Sequence, residues 1–205
     1  MAVATPTFTD NVSVIAPTSV AAGGLTSGSI DLRTKKGAWL FIAVGRQGAT
    51  VPAAAMQIKV RRVLNNGTAP SLKNIYVAFA STITANNATT VNVDSASGQL
   101  TLGVASATGV VAGDDWCIYD TALTRLEFAT VSKVSGTTIT FDDNLQYTHT
   151  SAQADNVARY ADRFTPIWLE GGSLYTVTAD YGAAATGSNI VVRAFAQTYD
   201  SDLIV

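Results

Sequence analysis

The sequence predicts an all-β protein: a β-sandwich, with a jelly roll as one arrangement of it, carrying a small inserted β-barrel-like module. Three observations lead there. Apolar and polar residues alternate over short runs bounded by Gly, Pro, Asn, Asp and Ser, as in Met56-Gln-Ile-Lys-Val-Arg-Arg-Val-Leu64. Residues 152–160 are the one stretch that reads as a short helix. Between Gly98 and Thr150 the β segments become short and closely spaced, while those on either side are longer. The chain is therefore expected to leave the sandwich near Ala96 and return near Arg159. That gives a discontinuous outer domain of residues 1–96 and 159–205 around a module of residues 97–158.

Taken in order, residues 1–11 are polar, contain Pro6 and read as an extended arm that orders on a neighbour. Val12–Ala16 is a short strand and residues 17–27 a loop around Ala21-Ala-Gly-Gly24. Ser29-Ile-Asp-Leu-Arg33 alternates, with Ile30 and Leu32 inward. Ala38–Arg46 is the most apolar strand: Trp39, Phe41 and Ala43 share one face, Leu40, Ile42 and Val44 the other. A strand apolar on both faces is covered on both, so the module or another subunit is expected over its second face. After a loop and one helical turn at residues 52–56 comes Met56–Leu64, with Met56, Ile58 and Val60 inward and Gln57, Lys59 and Arg61 outward. Asn65-Asn-Gly67 signals a turn. Ile75–Ala80 is a strand, and Asn86-Asn87 marks another turn.

Within the module, Leu100–Val104 and Trp116–Asp120 are strands. Glu127–Val134 and Thr137–Phe141 form a hairpin across Ser135-Gly136. Its core is expected to draw on Leu100, Leu102, Trp116, Ile118, Phe128, Val131, Ile139, Phe141 and Leu145. Phe164–Leu169 resumes the sandwich, with Pro166 arguing for an edge or a strand start. Leu174–Tyr181 and Asn189–Gln197 are expected to form a long hairpin.

Composition narrows the function classes. Of 205 residues, 47% are hydrophobic and 14% charged, against about 25% charged in ordinary soluble domains. Such a charge-poor surface suits lasting contacts with other subunits. The net charge of −2 provides no field for nucleic acid, and the runs Arg33–Lys36 and Lys59–Arg62 are short enough to be solvated strand faces or inter-subunit ion pairs. No run of about 18 apolar residues predicts a membrane span, and the N-terminus lacks the pattern of a signal peptide. Cys117 is the single cysteine, so no intrachain disulfide is expected and a small buried hydrophobe is its expected role.

No catalytic, cofactor-binding or metal-binding residue is assigned from the sequence. His149 is the single histidine, in Tyr147-Thr-His-Thr150, with no Gly-x-Ser-x-Gly motif to supply a nucleophile. Asp114-Asp115 and Asp142-Asp143 are adjacent pairs whose members point apart on a strand end, unlike two carboxylates facing across a cleft. Asp142-Asp143-Asn144 offers oxygens for a calcium ion without the spacing of a regular calcium loop; turn and capping roles are the expectation. Trp39, Trp116 and Trp168 could build a sugar-stacking platform, but each sits in an apolar strand pattern that points to core.

The segment Gly113-Asp-Asp-Trp-Cys-Ile-Tyr-Asp120, followed by Leu126-Glu-Phe-Ala-Thr-Val-Ser-Lys-Val-Ser-Gly-Thr-Thr-Ile-Thr-Phe141, resembles a small β module of tailed-bacteriophage virion proteins. Ser29–Arg46 likewise resembles phage structural proteins. The resemblance covers about half the chain and implies a capsid decoration (cement) protein. It carries no catalytic residues. Cement proteins are often shorter, which leaves a tail or baseplate component with receptor or carbohydrate binding as the alternative. The expectation is a non-enzymatic homo-oligomer bound to the major capsid protein or other virion subunits, located in the virion and assembled in the host cytoplasm.

Overall fold

The computed structural model describes residues 8–21, 23–46, 56–65, 70–79, 88–153, 155–159, 162–163, 166–182 and 189–199. Strands β1 (Phe8–Val20), β2 (Leu25–Asp31), β3 (Gly37–Arg46), β4 (Gln57–Asn65) and β5 (Pro70–Phe79) open the chain. Next come β6 (Ala88–Val93), β7 (Thr101–Val104), β8 (Asp115–Tyr119), β9 (Glu127–Ser135), β10 (Thr138–Phe141) and β11 (Asn156–Arg159). The chain continues through β12 (Asp162–Arg163), β13 (Ile167–Glu170), β14 (Leu174–Asp180) and β15 (Ile190–Tyr199). The fold class is all-β. One sheet runs β1-β15-β3, with β12 and β13 both along the far side of β3. A second runs β2-β14-β4-β5, and a closed barrel runs β10-β7-β6-β11-β8-β9.

The two sheets share a core. Leu40, Ile42 and Val44 of β3 and Val192, Ala194 and Ala196 of β15 belong to one buried cluster with Ile58 and Val60 of β4 and Tyr175, Val177 and Ala179 of β14. Strand alternation places these side chains on the inner faces. The inward positions expected for Ile30, Leu32, Met56, Ile58 and Val60 are all buried.

Several expectations need correction. β1 runs unbroken through Pro17, and register shifts against β15 around Ser13, Ile15 and Thr18 absorb it. Proline is tolerated there because β1 is an edge strand within its sheet. Residues 8–11, expected in the arm, already pair with β15, while residues 1–7 and the helical turn expected before Met56 lie outside the described residues. The helix expected over 152–160 is instead a 3₁₀ turn at Ser151–Gln153 followed by β11. Val157 of β11 is fully buried and pairs with Ile118 on one side and Thr89 on the other, and these two ladders override a local helical preference. β14 and β15 do not form a hairpin. They lie in opposite sheets and meet through their side chains across the core.

The barrel draws in β6, which begins at Ala88, ahead of the expected module start at residue 97. Six strands enclose too little space for a channel, so side chains fill the interior. Val91, Leu102, Val104, Trp116, Ile118, Val131, Ile139, Phe141, Leu145 and Val157 are buried together. Leu100 and Phe128, expected in this core, are not part of it. Leu100 is exposed, and Phe128 points out of the barrel against the sandwich. The β9–β10 connection is Gly136-Thr137, since Ser135 already pairs with Thr138.

Barrel and sandwich meet at the Arg46 end of β3. Cys117, Tyr119, Leu123 and Leu126 pack around Val191 of β15, with Phe128 against them. Val191 pairs with Gly45 on β3. A Cβ added to Gly45 would sit 2.8 Å from Cys117 Sγ and 3.2 Å from Phe128 Cε1, so the glycine lets the barrel wall rest directly on the strand. The module is therefore what covers this end of β3's second face. Gly45→Val is expected to force the seam apart and lower unfolding stability by about 1–3 kcal/mol. Chemical denaturation followed by fluorescence checks this, and an unchanged midpoint would contradict the packing described.

Candidate functional site

The strongest concentration of polar chemistry lies at one end of the barrel. Glu127 is the first residue of β9, on the same face as buried Ala129 and Val131, and is itself 3% exposed. His149 and Asp155 lie on the path returning to β11, and both are fully buried. His149 Nε2 is 2.6 Å from Glu127 Oε1, and His149 Nδ1 is 2.9 Å from Asp155 Oδ2. Arg125 Nη2 donates to Asp155 Oδ1 at 2.9 Å, and Arg125 Nη1 donates to Gln153 Oε1. His149 also pairs through its backbone with Ser95, N–H to C=O in both directions at 2.9 Å. The cluster thus ties together the start of β9, the segment after β6 and the return path.

A neutral imidazole carries one N–H, yet both ring nitrogens lie within hydrogen-bond distance of a carboxylate oxygen. Both Glu127 oxygens accept hydrogen bonds from within the chain. Oε2 accepts the Gln146 amide at 2.8 Å, and Oε1 accepts His149 and, at 3.4 Å, the Tyr147 amide. The ring nitrogens point to two separate carboxylates and do not converge with them on one point. Among the described residues no group of three His, Cys, Asp or Glu side chains is placed to hold a metal ion. What this arrangement does chemically is latch the return path onto the barrel.

The other residues singled out by sequence fall into turn, core and seam positions. Asp114 Oδ2 accepts the Val111 amide, and Asp115 Oδ1 accepts the Thr130 hydroxyl. Asp142, Asp143 and Asn144 are exposed, and the Asp142 amide donates to Thr130 C=O. Trp116 is buried in the barrel core, 1% exposed. Cys117 is buried at the seam with its Sγ 3.6 Å from Arg46 C=O. Burial pushes its thiol up to about 12, against a smaller opposing pull from Arg46. Partial burial of Asp120 opposes ionisation, but the Thr124 hydroxyl, the Arg125 amide and the Arg125 charge outweigh it and hold the carboxyl below its ordinary value. Trp168 is different: it is 42% exposed on the outer face of the first sheet. Sequence reasoning missed the His149 latch. Its signal was Glu127, a carboxylate in step with the inward Ala129 and Val131.

The sequence matches no family model. It matches no curated protein either. Among solved structures, VP17, a capsid protein of bacteriophage P23-77, aligns over 90% of each chain at 8% identity with a TM-score of 0.22, a superposition too loose to speak for fold or role.

Two outcomes follow from this geometry. His149→Ala leaves two carboxylates buried without their partner and is expected to cost about 3–5 kcal/mol of stability, read by urea unfolding; a loss under about 1 kcal/mol would contradict a buried latch. A thiol held up near 12 and closed from solvent should react with a disulfide reagent at pH 8 only as the protein unfolds. Rapid labelling of the native protein would contradict the seam.

Proposed function

We propose that this chain is a non-enzymatic virion structural protein that decorates a capsid shell through subunit–subunit contacts. The observation that carries this reading is strand β5. Among the described residues it ends its sheet with no neighbour on its outer side. It exposes Leu72, Ile75 and Val77 at 47%, 42% and 44%. An open edge of this length is a template for strand addition by another chain. Burying three such side chains contributes on the order of several kcal/mol, and backbone pairing fixes the register. The charge-poor composition and the resemblance of residues 113–141 to phage virion modules support the same reading. The partners would be the major capsid protein or further copies of this chain.

A second reading, a tail or baseplate component with receptor or carbohydrate binding, is favoured by one observation, the exposure of Trp168.

Cosedimentation with undecorated shells tests the first reading. The wild-type chain is expected in the pellet. Ile75→Lys with Val77→Lys is expected to remain in the supernatant while folding stability changes by no more than about 0.5 kcal/mol per exposed site. Wild-type protein that stays out of the pellet would sink the decoration reading, and a double variant that pellets normally would remove β5 from it.

A further inference from the structure

The outer face of the β1-β15-β3 sheet is only partly covered by the barrel. Beyond the seam it carries a continuous aromatic strip. Phe41 and Phe195 pair across β3 and β15 and stack at 4.8 Å with an interplanar angle of 8°. Further along, Trp168 meets Trp39 edge-on at 5.3 Å and Tyr199 at 5.5 Å. The Trp168 indole lies over Gly37: a Cβ there would be 2.4 Å from Cζ2 and 2.7 Å from Cη2. The ring is thus seated on bare backbone and held between two roughly perpendicular rings, with 42% of its surface open to water. Hydrogen-bonding groups border it on the same face. Gln197 stands opposite Trp39 in register, and Glu170 follows Trp168 two residues on.

At the other end the strip runs into a cleft of about 230 Å³ where barrel meets sheet, lined by Phe41, Phe128, Phe195, Gln146, Glu127 and Arg193 among others. Arg193 lies 5.4 Å from the Phe195 ring centroid, and among the described residues no hydrogen bond or ion pair engages its guanidinium. The Glu127 carboxylate also lines the cleft, but its oxygens bond to Gln146, Tyr147 and His149, so among the described residues the Arg193 donors have no carboxylate partner.

We propose that this face binds an acidic oligosaccharide, with the apolar face of one pyranose ring on the Trp168 indole and a carboxylate of the same glycan at Arg193. Aromatic faces carry negative charge density that attracts the C–H edges of a sugar ring, and an indole presents the largest such face. The arginine fork matches a carboxylate. Arg193 pairs with Ala43 and Trp168 with Trp39. The two anchors are therefore about 13 Å apart along β3 at roughly 3.3 Å per residue, the reach of a short oligosaccharide. The inference deepens the second reading given above, and it is independent of attachment through β5, which lies in the other sheet.

The test is a binding array of uronic-acid and sialic-acid oligosaccharides beside their carboxyl-reduced counterparts, with full-length protein, followed by NMR of the indole N–H signals. At least one acidic probe is expected to bind more tightly than its reduced form and to shift the Trp168 indole signal while leaving buried Trp116 unmoved. Loss of a stacking indole corresponds to about tenfold weaker binding, so Trp168→Ala should show at least that. Trp168→Tyr should recover part of it, and Arg193→Gln should bring acidic and reduced probes level. Circular dichroism establishes that each variant folds. Shell cosedimentation of Trp168→Ala should equal wild type, so failure of shell attachment and failure of sugar binding are read separately. The proposal is overturned if no acidic probe outbinds its reduced form. It is equally overturned if Trp168→Ala and Arg193→Gln bind as wild type, or if Trp168→Ala abolishes cosedimentation with no sugar bound, which would make the face a protein contact.

Discussion

Strand β3 is apolar on both sides, and each side has a different cover. Its inner residues Leu40, Ile42 and Val44 meet the second sheet across the sandwich core. Its outer side is divided. At Gly45 the missing side chain admits Cys117 and Phe128, so the barrel is seated on the strand without an intervening layer. At Gly37 the same device admits the Trp168 indole. Two glycines eight positions apart by sequence number thus decide what lies over the outer face: a protein module at one end and an aromatic ring at the other. The rest of the architecture depends on that division, because β15 follows β3 in register through ten residue pairs and carries Val191 under the barrel and Tyr199 against the Trp168 ring.

The polar cluster at one end of the barrel is buried and internally bonded. Glu127, His149 and Asp155 satisfy one another, and Arg125 ties Asp155 to the outside. A histidine between carboxylates is a frequent element of catalytic sites, yet a working base needs an accessible lone pair and a substrate position beside it. Here the glutamate oxygens accept from two backbone amides and lie against the ring. The depressed carboxyl of Asp120 belongs to the same end of the barrel. A group whose folded-state value is lowered stabilises above its ordinary titration range and loses that contribution as pH falls through the folded value. The Asp120 link is therefore in force at neutral pH and weakens on the acid side.

Much of this was legible in the residues. The alternation in Met56–Leu64 shows which side of β4 is buried, because a two-residue period leaves no choice of face. The double apolarity of Ala38–Arg46 announced two covers. What could not be read was which elements meet. Alternation in residues 174–180 and 190–199 is the same whether the two strands pair or face each other across a core, so the expected hairpin became a sheet-to-sheet crossing. The segment 152–160 has a locally helical composition, and only the flanking β6 and β8 make Val157 a strand residue. The His149 latch joins residues 22 and 6 positions away, and no short motif spans those separations. Trp39, Trp116 and Trp168 sit in similar apolar runs, yet Trp116 is buried in the barrel core and Trp168 stands 42% exposed on a sheet surface.

Among the described residues β5 ends its sheet without an outer neighbour, and the proposed attachment to a shell rests on that edge. The most direct measurement is amide hydrogen exchange across β5 in the free protein and in shell-bound particles. Strand addition predicts that the amides of β5 facing away from β4 exchange quickly in the free chain and become strongly protected in the particle, while those of β4 and β14 change little. Outward-facing β5 amides that exchange as fast in the bound particle as in solution would contradict the account.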